Sequence, residues 1–195
     1  STNRASATSL ENHKNTINYV SFGDSIAAGA LLPDHNTNLE SKYNPNNNTY
    51  SECVIVKNSY THLFKENLIS VYGAENVNAK SFAKSGDQVK DLLNKLQRSN
   101  VQEALKQADV VTISIGANDI LTPALQHILG FIQKDPAYSI SQMNQFLDNG
   151  LNAIVNGEYT VNKLIETLLS INPNAQYIFT NVYNPYKYLG VEADD

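Results

Sequence analysis

A chain of 195 residues, 42% of them hydrophobic, is long enough for one domain with a substantial core and too short for two comfortable ones. Its 19 acidic and 14 basic side chains leave a formal net charge of -5 without a basic cluster, which argues against nucleic acid as a partner. Cys53 is the only cysteine, so an internal disulfide and any zinc site with two cysteine ligands are excluded.

No apolar run reaches the roughly 18 residues of a membrane span. Residues 1–15 are polar, aperiodic and rich in Ser, Thr and Asn, and read as a flexible tether ahead of a single domain over 16–195. The chain opens on Ser1 rather than Met. A removed signal peptide or a cloning boundary explains both features, and an exported bacterial protein, extracellular or at the cell surface, is expected.

Tyr19-Val20-Ser21-Phe22 is a short apolar run that ends abruptly in Gly23-Asp24-Ser25 and passes into Ile26-Ala27-Ala28-Gly29. It reads as a strand delivering a serine onto a turn. A serine hydroxyl is a weak nucleophile until its backbone holds it exposed beside a base and beside donors for a developing oxyanion. Leu31 to Lys57 then lacks periodicity, is dominated by Asn, Ser, Thr, Pro and charge, and reads as a long surface insertion. It either borders a substrate cleft or is simply tolerated; Asn47-Asn48-Thr49 within it is a glycosylation sequon by pattern alone.

From Asn58 the spacing of Tyr60, Leu63, Phe64, Leu68 and Val71 predicts a helix that Gly73 stops. Val77 to Ala83 predicts a strand, and Ser85-Gly86-Asp87 opens a helix bearing Val89, Leu92, Leu93, Leu96, Val101 and Leu105, with Asp87 in its first turn. Val110 to Ile115 has the β-branched, uninterrupted character of a parallel strand buried on both faces, and ends at Gly116-Ala117-Asn118-Asp119. Helical spacing recurs from Ser139 to Ser170, with Gly150 and Gly157 placed to bend or split the helix, and Tyr177 to Val182 forms the next strand. Strands alternating with helices imply βαβ crossovers, hence a three-layer, doubly wound parallel α/β fold.

In such a sheet ligands bind beyond the carboxyl ends of the strands. Ser25, Gly86 and Asn118 each lie just past one, and together they present a hydroxyl, a backbone N–H without a side chain, and an amide donor. Those are the parts of a nucleophile and an oxyanion hole. Neither Gly-x-Gly-x-x-Gly nor Gly-x-x-x-x-Gly-Lys-Ser/Thr occurs, so a nucleotide-binding reading lacks its phosphate cradle.

Gly23-Asp24-Ser25-Ile26 with Gly29, then Ser85-Gly86, then Gly116-Ala117-Asn118-Asp119 resemble, in order, the first three blocks of the SGNH, or GDSL-type, hydrolases. Asn181-Val182-Tyr183-Asn184-Pro185-Tyr186 is similar to a segment of bacterial lipase and acylhydrolase-like members, so the likeness spans Tyr19 to Tyr186. The resemblance implies a flavodoxin-like fold and serine-dependent hydrolysis of carboxylic esters without metal or organic cofactor. It makes Ser25 the nucleophile, and its own N–H, the Gly86 N–H and the Asn118 amide the oxyanion donors. Asp24 and Asp119 then brace their turns.

The family's fourth block, an Asp-x-x-His supplying the general base, is absent: Leu10, Leu32, Ser59 and Ala124 stand three residues before His13, His35, His62 and His127. The expected final strand and helix are therefore missing, and the base is expected downstream of Asp195, on a cleaved second chain of the same polypeptide or on sequence left out. The competing expectation is a non-catalytic glycan- or lipid-binding domain on the same scaffold.

Overall fold

The computed structural model describes residues 16–123 and 140–180. The tether expected at 1–15, the segment 181–186 and two of the four histidines, His13 and His127, lie outside the described residues.

Among the described residues, four strands form the main sheet: β1 (Ile17–Gly23), β4 (Val77–Ser81), β5 (Val110–Ser114) and β6 (Gln176–Phe179). A separate two-stranded hairpin, β2 (Tyr43–Asn44) and β3 (Thr49–Tyr50), lies in the segment 31–57. The main sheet has the order β4-β1-β5-β6 and is parallel throughout, with Ser21 opposite Ser81 on one side of β1 and Gly23 opposite Ser114 on the other. Parallel pairing demands a crossover between successive strands. These are α2 (Tyr60–Tyr72) from β1 to β4, then α3 (Val89–Lys95) and α4 (Ser99–Gln107) from β4 to β5. Between β5 and β6 run α5 (117–123), α6 (Ile140–Asn156) and α7 (Val161–Ile171). The short α1 (Ser25–Ala28) follows β1 directly.

One face of the sheet, carrying Val20, Phe22, Val111 and Ile113, packs on Leu92, Leu105, Leu164 and Leu168 of α3, α4 and α7 and on Leu96 at the end of α3. The opposite face carries hydroxyls: Tyr19 Oη bonds Thr112 Oγ1 at 2.7 Å, and Ser21 Oγ bonds Thr61 Oγ1 of α2 at 3.1 Å. Helices on both faces complete the doubly wound α/β arrangement.

The helices differ from the sequence expectations in three places, each for a packing reason. On α2, Leu63 and Val71 are exposed and the buried residue is Thr61, because a hydroxyl-bearing sheet face calls for a hydroxyl partner that also donates to Ala27 O. The expected single helix over 87–105 breaks at Leu96–Arg98. At about 100° per residue an unbroken helix would put Val101 about 180° from Leu92, whereas both are buried in the same core. Finally, α6 runs unbroken through Gly150, where an added Cβ would come within 2.8 Å of Asp119 O and Ile120 Cα; the split falls at 157–160 instead. Gly150 permits close approach of α6 to α5 rather than a bend.

Asn172, buried after α7, ties the far end of this layer together. Its amide nitrogen donates to Leu105 O and Ala108 O, and its oxygen accepts from Asn174 N and Ala175 N. One side chain thereby satisfies carbonyls left over at the end of α4 and fixes the approach to β6.

Candidate active site

Because β1 lies between β4 and β5, the turns after these three strands are neighbours at the carboxyl edge of the sheet. The middle turn is Asp24-Ser25. Asp24 is the N-cap of α1: its Oδ1 accepts from Ile26 N at 3.0 Å and from Ser114 Oγ at 3.3 Å, while its own N–H donates to Ser114 O at 2.9 Å. Burial pushes its carboxyl above the usual range, against the pull of those donors. Ser25, half-buried, begins the helix on this braced turn.

The turn after β4 is bonded to it, since Lys84 N donates to Gly23 O at 2.9 Å. Gly86 lies exposed on that turn with φ +87, a conformation that side-chain-bearing residues rarely adopt, and a Cβ there would meet nothing within 4 Å. Glycine is required by the backbone and faces open space. The turn after β5 closes the set: Asn118 Nδ2 donates to Asp87 O at 3.1 Å and Asn118 O accepts from Gln88 Nε2 at 3.1 Å. One of the two amide hydrogens of Asn118 is thus committed to holding its orientation, and the other is left over for a ligand.

Asp119 reaches beyond its own turn. Its two carboxylate oxygens accept from Val89 N at 3.0 and 3.2 Å and so serve the start of α3, where Asp91 also caps Gln88 N. Burial pushes Asp119 up to about 6. Asp87, expected in that first turn, turns away to an ion pair with Lys95 Nζ at 2.5 Å, both side chains buried. Lys95 Nζ also donates to Phe82 O at 2.7 Å and lies 5.4 Å from the Tyr50 ring centroid. Burial pulls the ammonium down and pushes Asp87 up, and their mutual contact opposes both shifts.

One carboxylate here escaped sequence reading. Glu40, buried in the segment 31–57, accepts from Ser85 N (3.0 Å), Ser85 Oγ (2.6 Å) and His35 Nε2 (2.7 Å). A serine, a carboxylate and an imidazole meet, but in the wrong order for catalysis: His35 and Ser85 address the same Oε1, so the imidazole is not placed to take the serine proton. His62 accepts from Asn58 N and faces Glu66. Neither described histidine is hydrogen-bonded to Ser25. Nothing local in the sequence signals the contact of Glu40 with Ser85, which is 45 residues away.

A cavity of about 260 Å³ opens beside these turns, lined by Gln88, Asp119, Ala153, Ile154 and Tyr159; Ser25, Gly86 and Asn118 do not line it. Among the described residues, no three His, Cys, Asp or Glu side chains cluster to hold a metal ion. Cys53 is buried, with its thiol pushed up by burial, as an unreactive cysteine would be.

The GDSL-like lipase/acylhydrolase family model matches residues 19–193, and the chain belongs to that family, the SGNH hydrolases. Among curated proteins it is 27% identical over 119 residues to the uncharacterized protein YpmR of Bacillus subtilis, covering 61% of this chain and 41% of that one. The chain thus spans about two fifths of the length of this relative. Among solved structures, the lipase Lip_vut3 from a goat rumen metagenome superposes with a TM-score of 0.50 at 20% identity, over 89% of this chain and 67% of that one. That likeness extends to the fold, an α/β parallel sheet flanked by helices.

Proposed function

We propose that the protein hydrolyses carboxylic esters through an acyl-enzyme on Ser25. In this reading Ser25 Oγ attacks the ester carbonyl, and the oxyanion sits among the Ser25 N–H, the Gly86 N–H and the remaining Asn118 amide hydrogen. The alcohol leaves, and water then releases the acid. The observation that carries the reading is the mutual hydrogen bonding of the three strand-end turns, Asp24 to Ser114, Lys84 to Gly23 and Asn118 to Asp87, which organises the donors before substrate arrives. The base is a histidine supplied by polypeptide beyond Asp195, because no histidine of this stretch has an aspartate three residues before it.

The test uses the full natural polypeptide and a fluorophosphonate probe. Labelling of wild type and its loss in Ser25→Ala support the reading; a folded wild type that binds glycan or lipid but never labels overturns it. Loss of the histidine in a serine triad costs about 10⁶ in turnover and leaves roughly 10³ to 10⁴ over water. Residues 1–195 by themselves are therefore expected to hydrolyse p-nitrophenyl esters barely at all, and vigorous Ser25-dependent turnover would refute the assignment of the base.

A further inference from the structure

We infer that Glu40 is a positioning residue for the Gly86 oxyanion donor, holding the 82–88 turn in register with Ser25 from the segment 31–57; this rests on the ester-hydrolase reading above. Gly86 has no side chain and faces open space, so its position is set by its two neighbours. Each neighbour is anchored by a buried charge on a different element. Asp87 is tied to Lys95 of α3, which also takes Phe82 O and so bridges the two ends of the turn. Ser85 is tied through both its N–H and its hydroxyl to Glu40, which is 6% exposed.

The segment around Glu40 is itself fixed to the same stretch. Ser41 N donates to Ala83 O at 3.1 Å and Cys53 N to Ser81 O at 2.7 Å, so 40–41 and 53 run alongside the exit from β4. Burial raises the Glu40 carboxyl, but the donors from Ser85 and His35 outweigh it and hold the group below its ordinary range, as an ionised acceptor. A carboxylate accepts from all three groups at once; an amide in its place keeps one acceptor oxygen, and the Ser85 hydroxyl and the imidazole must reverse their roles to meet its NH₂ group.

The consequence for rate follows from geometry. Removing an oxyanion donor costs about 10² to 10³ in kcat, and a misplacement of about 1 Å costs about 10². Glu40→Gln in the full polypeptide is therefore expected to lower kcat by about tenfold to a hundredfold with KM within about twofold, and to slow fluorophosphonate labelling of Ser25 in parallel. His35→Ala leaves both Ser85 bonds in place and should change kcat by no more than about threefold. A residue with a structural role alone would lower the melting temperature and leave kcat in place.

Folded Glu40→Gln with kcat within about twofold of wild type overturns the inference. Should that variant not fold, Ser85→Ala removes only the hydroxyl bond and should lower kcat by about three- to tenfold; an unchanged kcat there overturns it equally. A wild type that never labels at Ser25 refutes the hydrolase reading itself, and is told apart because no variant is then needed to see it.

Discussion

The two faces of the central sheet are built from the same strands yet held together differently. Val20, Phe22, Val111 and Ile113 point to the face under α3, α4 and α7, where they join one apolar cluster. Tyr19, Ser21, Thr112 and Ser114 alternate with them and point to the other face, where hydroxyls pair across the strands and with Thr61 of α2. The hydroxyl face runs directly into the site, since its last member, Ser114, donates to Asp24 beside Ser25. The apolar face supplies non-directional adhesion, and the hydroxyl face supplies direction.

Substitutions on each face can break this comparison. Phe22→Ala should cost the most, about 3–5 kcal/mol of unfolding free energy for an aromatic removed from a packed core, measured by denaturant titration. Tyr19→Phe keeps the ring and its contact with Phe64 while removing the bond to Thr112, and should cost only about 1 kcal/mol. A loss from Tyr19→Phe equal to that from Phe22→Ala would show that the hydroxyl face is the main support after all.

The third effect is on pH. Asp119 is raised to about 6 in the folded protein, so between about 4 and about 6 the folded state binds more protons than the unfolded one. The stability this group contributes is present in acid and is lost as pH climbs through 6. Asp119→Asn should remove that slope from the pH dependence of unfolding; an identical slope in the variant would refute the assignment.

The apolar face was the legible one. The β-branched run Val110 to Ile115 and the small-residue turns at Ser25, Gly86 and Asn118 carry their meaning in a few adjacent residues, so the strands of the main sheet and the three candidate positions follow from the sequence, whereas the β2–β3 hairpin in the segment read as an insertion does not. The hydroxyl face and the anchors of the oxyanion turn did not follow. Tyr19 and Thr112 are 93 residues apart, Glu40 and Ser85 are 45 apart, and a polar side chain read alone looks like surface. Helix breaks were half legible: glycine marked the end of α6 at Gly157, but the break at Leu96–Arg98 carries no glycine or proline and is dictated by where Val101 must point.

Asn172 bears on how the molecule ages. Asparagine deamidates when the backbone nitrogen of the next residue attacks its side-chain amide, and here the next residue is Pro173, which has no N–H to lose. The exposed Asn156, followed by Gly157, has no such protection. Slow chemical damage should therefore fall on exposed Asn-Gly pairs such as Asn149-Gly150 and Asn156-Gly157 before it reaches the amide that joins α4, α7 and the approach to β6.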